Sequence, residues 1–429
     1  MQPIDEVHRA AQAGNAEAQE LLAAVLDELG RPEDAVGWLR RAAEGGRAGA
    51  AVQLGLREIV GQGTAQDPGS GVRRIVAAAE RDAAAAHMAA VLYAGGVAAP
   101  RRLDRALELL ARAARGGDAR AACQLGLLVG TEGDGAATGL ALLELAAAAG
   151  FDPAQHALGA ALIRGDAGQQ ARARAWLEAA AAAGNPCAAK LADPAGGSVA
   201  PPAGVEGPID WDRAAAADLS GWSARTAWRE ERESPRIATA EDFLPDWACD
   251  YVAGLAAPAL QRGKVVDEHG GESVRGVRTN AVTHFGLGDS DVLLELINQR
   301  TADAAGMPPE NAEGLGVLHY RPGETYARHV DYIDPSAPQN AAHLAARGQR
   351  VKTLLVYLNH DFEGGETEFV RLGMRFKPPR GAALLFESVL PSGEIDPRTL
   401  HAGLPPTRGE KWLISKWFRT KALRPTSAA

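Results

Sequence analysis

Cys123, Cys187 and Cys249 are the only cysteines in 429 residues. They show neither a CxxC spacing nor a paired framework. That excludes a disulfide-stapled scaffold and a thiolate zinc site, and leaves small buried apolar residues in a reducing compartment. Aromatic residues make up 5% of the chain, and positive charge is not in excess, since 45 Lys and Arg face 54 Asp and Glu for a net of −9. A general nucleic-acid binder needs the opposite balance, so nucleic acid is not expected as a partner. Long apolar runs are missing too. The Ala-rich stretch 140–149 is broken by Glu144 and is too short to span a bilayer, and the first residues lack the basic segment and apolar core of a signal peptide. The expectation is a soluble, cytoplasmic protein with no membrane partner.

What the chain does have, in its first half, is a returning pattern. Ala-rich runs end at Gly14, Gly46, Asp82, Gly117, Gly150 and Gly184, spaced by 32 to 36 residues. This is the period of stacked helix pairs, each burying its apolar face only against the next. Within one unit, residues 121–128 and 140–147 read as its two helices, and a glycine after each Ala run suits a left-handed helix C-cap. Gln53-Leu54-Gly55 and Gln124-Leu125-Gly126 resemble Sel1-like repeats, relatives of the tetratricopeptide family. Such an array presents a concave surface to a peptide or protein. It offers no catalytic set, because His8, His87 and His156 are scattered over different repeats.

The length favours more than one domain. Residues 7–192 read as the solenoid, and 193–210, dense in Pro and Gly, as a linker. Residues 211–421 read as a second, mixed domain. In it, 211–235 would form covering helices carrying Trp222 and Trp228, residues 242–256 and 289–305 have apolar residues at helical spacing, and short strands follow from Leu315. Helices first and strands afterwards suggest an α+β domain built on a double-sheet barrel. The fold class expected is therefore multidomain, an all-α solenoid followed by an α+β domain.

The chemistry sits late in the chain. In an extended strand residues i and i+2 share a face, so His329 and Asp331 can reach one metal together. A third ligand must come from elsewhere. His401 lies just ahead of a run, 410–420, that reads as a strand, while His319, His343 and His360 lie closer in sequence. Two imidazoles and a carboxylate on one face of an octahedron suit non-haem Fe(II). Lys411 is placed to anchor the far carboxylate of a dicarboxylate cosubstrate as a point charge. Strand alternation groups Lys411 with Leu413, Ser415, Trp417 and Arg419, and puts Trp412, Ile414 and Phe418 on the opposite face.

Residues 318–331 (LHYRPGETYARHVD), 353–359 (TLLVYLN), 364–369 (GGETEF), 381–386 (GAALLF), 400–403 (LHAG), 409–412 (GEKW) and Lys416-Trp417 resemble, in that order, a prolyl 4-hydroxylase of the 2-oxoglutarate/Fe(II) dioxygenases. The resemblance extends over about 237–420 and implies a double-stranded β-helix (jelly-roll) core. It selects His401 as the third ligand. It implies Fe(II), 2-oxoglutarate and O2, with ascorbate, and conversion of 2-oxoglutarate to succinate and CO2 as a prolyl residue in a protein or peptide is hydroxylated. It also implies that Tyr320, Thr367 and Lys411 hold 2-oxoglutarate, with Tyr357 either a further donor or a core aromatic. Arg278, Asn280, Tyr326, Arg350, Trp417 and Arg419 would surround the substrate, although Asn280 and Arg419 depart from the family pattern. Two other readings stand beside this one: hydroxylation of a free amino acid or other small molecule, and a non-catalytic protein whose repeats bind a partner.

Overall fold

The computed structural model describes residues 2–98, 100–191, 207–263, 265–266, 272–273 and 278–425. Most of the expected linker, residues 193–206, lies outside them.

The repeat array runs through α1 (Gln2–Gln12), α2 (Ala16–Glu28), α3 (Pro32–Glu44), α4 (Ala48–Val60), α5 (Pro68–Ala78), α6 (Ala83–Gly95), α7 (Leu103–Arg115), α8 (Ala119–Val129), α9 (Ala136–Ala148), α10 (Asp152–Leu162) and α11 (Ala167–Ala182), then the short α12 (Ala188–Leu191). Pairs α2/α3, α4/α5, α6/α7, α8/α9 and α10/α11 pack internally and then on one another. Gly14, Gly46, Gly117, Gly150 and Gly184 all take φ between 86° and 93°. In each case the glycine N–H and the next N–H bond back to successive carbonyls of the ending helix, as Gly117 does to Ala114 and Asp118 to Ala113. That arrangement satisfies two otherwise orphaned carbonyls. The third unit differs: Asp82 is not the left-handed residue but the N-cap of α6, accepting the Ala85 N–H, the same role as Asp118 in α8. Its loop, 79–82, is one residue longer than the three-residue loops at Gly14, Gly46, Gly117 and Gly150. The glycines of the two QLG motifs have another cause, since a Cβ on Gly126 would lie 2.9 Å from the Gly139 carbonyl and one on Gly55 2.8 Å from that of Gly71. The paired helices touch backbone to backbone there.

After the array come α13 (Trp211–Ala215), α14 (Asp246–Ala256), α15 (Val292–Ala305) and α16 (Ala341–Arg347). The strands are β1 (Arg229–Glu233), β2 (Arg236–Ala240), β3 (Gln261–Arg262), β4 (Val265–Val266), β5 (Glu272–Ser273), β6 (Ala281–Phe285), β7 (Leu315–Tyr320), β8 (Tyr326–His329), β9 (Arg350–Tyr357), β10 (Glu363–Gly364), β11 (Thr367–Phe369), β12 (Met374–Phe376), β13 (Ala383–Glu387), β14 (His401–Gly403), β15 (Pro406–Arg408) and β16 (Lys411–Arg419). Among the described residues they form a large sheet in the order β1-β2-β13-β9-β16-β7-β6-β3, a smaller one in the order β12-β11-β14-β8, and the pairs β10-β15 and β4-β5. The two larger sheets enclose a jelly-roll core. Alternation along β9 and β16 sends Leu355, Tyr357 and Leu413 between the sheets, and Leu354, Val356, Trp412, Ile414 and Phe418 outward against α14 and α15.

Residues 211–235 depart from expectation. Only 211–215 are α-helical and they pack on α7, α8 and α9 of the array, while 229–233 become an edge strand of the large sheet. Trp211 lies under the Arg115 guanidinium, and Trp222 meets Trp247 of α14 edge-on. Residues 211–222 pack at the junction between the halves, while Trp228 donates to the Ala304 carbonyl of α15 (3.1 Å) and packs on the outer side of the barrel.

The halves are not independent bodies on a tether. One continuous buried cluster contains Ala86, Leu110, Cys123 and Leu142 of the array together with Tyr251, Val292, Leu293 and Leu296 of α14 and α15. At its polar margin Gln124 accepts the Val292 N–H (2.9 Å), and Asp291 accepts from Arg120 (2.8 Å), from the Tyr251 hydroxyl (2.7 Å) and from the Leu294 N–H (2.7 Å). The repeat array thus supplies part of the N-terminal cap of a helix that backs the barrel. Among the described residues no helix is long and apolar enough to cross a membrane.

Candidate active site

His329 ends β8 and His401 opens β14, and antiparallel pairing sets these two residues directly opposite each other. That register brings together ligands far apart in sequence. Asp331, two residues on, turns its carboxylate into the same space, with His329 Nε2 at 3.5 Å from one oxygen and His401 Nε2 at 3.7 Å from the other. The three groups offer ligand atoms all within 4.8 Å of one another. Each imidazole faces a carbonyl through Nδ1, His329 that of Ala327 (2.8 Å) and His401 that of Thr399 (2.9 Å). Donation from Nδ1 leaves both Nε2 lone pairs aimed at the centre. Thr353 donates its hydroxyl to Asp331 at 2.6 Å.

The electrostatics suit a cation. Burial, reinforced by the neighbouring His329, pushes His401 down to about 4, so it is neutral near pH 7. Burial alone would raise Asp331, but the two imidazoles and the Thr353 hydroxyl overcome it and hold the carboxyl well below the usual range. A neutral His401 and an ionised Asp331 are the protonation states that bind metal. His319, His343 and His360 are elsewhere: His319 is buried against Glu410 and Trp412, and the other two are exposed.

The cavity beside the triad, about 30 Å³, is lined by His329, Asp331, His401, Tyr320, Thr367 and Lys411 among others. Lys411 is fully buried and donates to the Gly365 carbonyl (2.8 Å), with its Nζ 5.1 Å from the Tyr320 ring centre and 5.4 Å from that of Tyr357. Among the described residues it forms no ion pair, and burial pushes it down to about 7 against the pull of Glu366. Tyr357 does not line the cavity; its hydroxyl lies 2.7 Å from that of Thr367 and orients it. A far larger cleft of about 830 Å³ between 222–228 and 303–306 has no such convergence of ligands, so size does not mark the site.

Around the opening, Tyr326 stacks on His329 (3.6 Å between ring centres) and carries the Arg278 guanidinium on its other side (4.5 Å). Arg350 lies over Trp417 at 3.8 Å and is clamped by both oxygens of Glu313 (2.6 and 2.9 Å). Asn280 and Arg419 are not at the cavity wall. Asn280 is buried beneath Arg278, accepting its Nε at 3.1 Å, and Arg419 is buried beneath Arg350 on the same Glu313 (2.5 Å). As placed, both act through the arginine above them. Thr353 and Glu313 were not anticipated from sequence. Thr353 was within reach, because it shares the inward face of β9 with Leu355 and Tyr357; Glu313 lies in a loop with no periodicity to mark it.

Comparison with known proteins agrees with this geometry. The family described as the 2OG-Fe(II) oxygenase superfamily matches residues 315–419. Prolyl 4-hydroxylase 1 of Arabidopsis thaliana is 38% identical over 206 residues, 44% of this chain and 70% of the relative. The chain belongs to the prolyl 4-hydroxylase family. Among solved structures, the viral collagen prolyl hydroxylase of Paramecium bursaria Chlorella virus-1, in a 2-oxoglutarate complex, is 28% identical, covering 43% of this chain and 96% of that one at a TM-score of 0.34. A Sel1 repeat protein from Oxalobacter formigenes is 25% identical, covering 44% of this chain and 87% of that one at a TM-score of 0.37.

Membership in the prolyl 4-hydroxylase family implies Fe(II), 2-oxoglutarate and dioxygen. The residues fit them: the donor set is two imidazoles and a carboxylate with both Nδ1 atoms engaged, and Lys411, which forms no ion pair among the described residues, lines the same cavity.

Proposed function

We propose that the protein hydroxylates a prolyl residue within a protein or peptide, with residues 211–421 as the catalytic part and 7–192 as a fixed repeat scaffold. The observation that carries this reading is Lys411, a buried lysine that forms no ion pair among the described residues and lines the same cavity as the His-Asp-His triad. Bound Fe(II) supplies the activation of dioxygen that inserts one oxygen atom into a C–H bond as 2-oxoglutarate becomes succinate and CO2.

The protein's residues supply geometry. His329, Asp331 and His401 hold the metal, Lys411 and Thr367 take the far carboxylate of the cosubstrate beneath Tyr320, and Leu318, Leu355 and Leu413 keep the space dry. Tyr326 and Trp417 offer aromatic walls to a pyrrolidine ring. Among the described residues the Trp417 indole N–H is buried without a hydrogen-bond partner. Kinship with the prolyl 4-hydroxylases supports proline as the target.

The test gives the full-length protein Fe(II), 2-oxoglutarate and ascorbate with a panel of proline-containing peptides and free L-proline, and follows mass. A gain of one oxygen on peptidyl proline is expected. Gain only on free proline or on another small molecule would replace the substrate class, and no turnover of 2-oxoglutarate with any substrate would leave the protein a repeat-mediated binder.

A further inference from the structure

Lys411 is flanked by two residues whose backbones are gripped by one side chain. Asn359 accepts the Trp412 N–H through Oδ1 (2.8 Å) and donates from Nδ2 to the Glu410 carbonyl (2.7 Å). The same Nδ2 meets Asp361 Oδ1 at 2.6 Å, and the other Asp361 oxygen pairs with Lys190 Nζ of α12 at 2.6 Å. The donors and acceptors fix the amide's orientation, because a flipped Asn359 would set its oxygen against a carbonyl and a carboxylate and its NH2 against an N–H.

The outward neighbours of Lys411 are braced as well. His319 Nε2 lies 3.0 Å from Glu410, and its ring lies 4.1 Å from that of Trp412. Gly409, at φ +73°, allows the turn before Lys411 to nest under Asp361, whose carbonyl would lie 2.5 Å from any Cβ there. A lysine side chain is a long flexible stem, so the position of its ammonium in a dry cavity depends on how firmly its own backbone is held.

We propose that Asn359 is a positioning residue for 2-oxoglutarate: it clamps β16 on both sides of Lys411 and so sets the ammonium's depth in the cavity. Asp361 and Lys190 tie that clamp to the end of the repeat array. The inference rests on Lys411 being the carboxylate anchor.

Steady-state kinetics in 2-oxoglutarate on the full-length protein, with thermal melting alongside, test it on Asn359→Leu, Asn359→Asp, Lys190→Met and Lys411→Met. Asn359→Leu is expected to raise the KM for 2-oxoglutarate about tenfold, the scale of one or two lost hydrogen bonds, with kcat changed less than about threefold. Asn359→Asp keeps the acceptor for Trp412 but sets its second oxygen against the Glu410 carbonyl and the Asp361 carboxylate, so it should raise the KM at least as far as Asn359→Leu. It also carries the test if Asn359→Leu does not fold. If Lys411→Met raises the KM while both folded Asn359 variants lower only the melting temperature and kcat, Asn359 is merely structural and the proposal falls. If Lys411→Met leaves the KM unchanged, the anchor reading itself fails. An unchanged KM in Lys190→Met would sever the repeat array from the clamp.

Discussion

Lys411 combines full burial with a single carbonyl acceptor, which gives its charge state a direct bearing on cosubstrate binding. A bound carboxylate stabilises the ammonium form, whereas in the free protein burial pushes the group down to about 7. Below that value the protein is already protonated and affinity is flat. Above it binding must take up a proton, so the affinity for 2-oxoglutarate should fall by up to about tenfold per pH unit until the pKa of the complex is reached. Titration of 2-oxoglutarate into the Mn(II) protein under argon, from about pH 6 to about pH 9, checks this, and a flat profile would contradict it. Replacing the charge altogether, as Lys411→Met, should weaken binding about ten- to a hundredfold, on the order of 1.5–3 kcal/mol for a charge-assisted hydrogen bond away from water. At the metal, His401→Ala should abolish high-affinity Mn(II) binding, whereas His343→Ala and His360→Ala, both exposed, should leave it intact.

At the scale of elements, much was legible because two periodicities carry it. Alternation along β16 placed Lys411, Leu413 and Trp417 on the cavity face correctly, and the spacing of glycines located the helix pairs. What the sequence could not show is register across the chain: nothing local to His401 says that it will stand opposite His329, and only the family pattern selected it over His319. Asp82 keeps the period of the Ala-rich runs while its side chain serves as an N-cap, a role the spacing alone does not show. Backbone contact between helices offers a sign test. Alanine normally favours a helix over glycine by about 1 kcal/mol, yet a Cβ on Gly139 would lie 1.9 Å from the Gly130 carbonyl. Gly139→Ala should therefore lower stability, by about 1–3 kcal/mol as overpacking does, and a raised melting temperature would refute the backbone contact.

For the whole molecule, the structure replaces a tethered pair with a joined one, which no composition argument reveals because the joint is made by residues that read as ordinary helix positions. Val292, Leu293 and Leu296 are buried by the array, at roughly 1.5–3 kcal/mol for each large side chain. Asp291, wholly buried, holds Arg120, Tyr251 and the α15 N-terminus together. Asp291→Ala should destabilise the protein by about 3–5 kcal/mol, the scale of breaking a buried charge pair, and should collapse both halves in one melting transition. Two separate transitions in the unaltered protein would argue against the shared core. We propose that this joined molecule oxidises peptidyl proline. The most direct measurement supplies the full-length protein with Fe(II), 2-oxoglutarate, a proline-containing peptide and isotopically heavy dioxygen. One heavy oxygen on the prolyl ring with an equal amount of succinate is expected, both lost in His401→Ala; succinate without label in any peptide, or label undiminished in His401→Ala, would contradict peptidyl-proline oxidation.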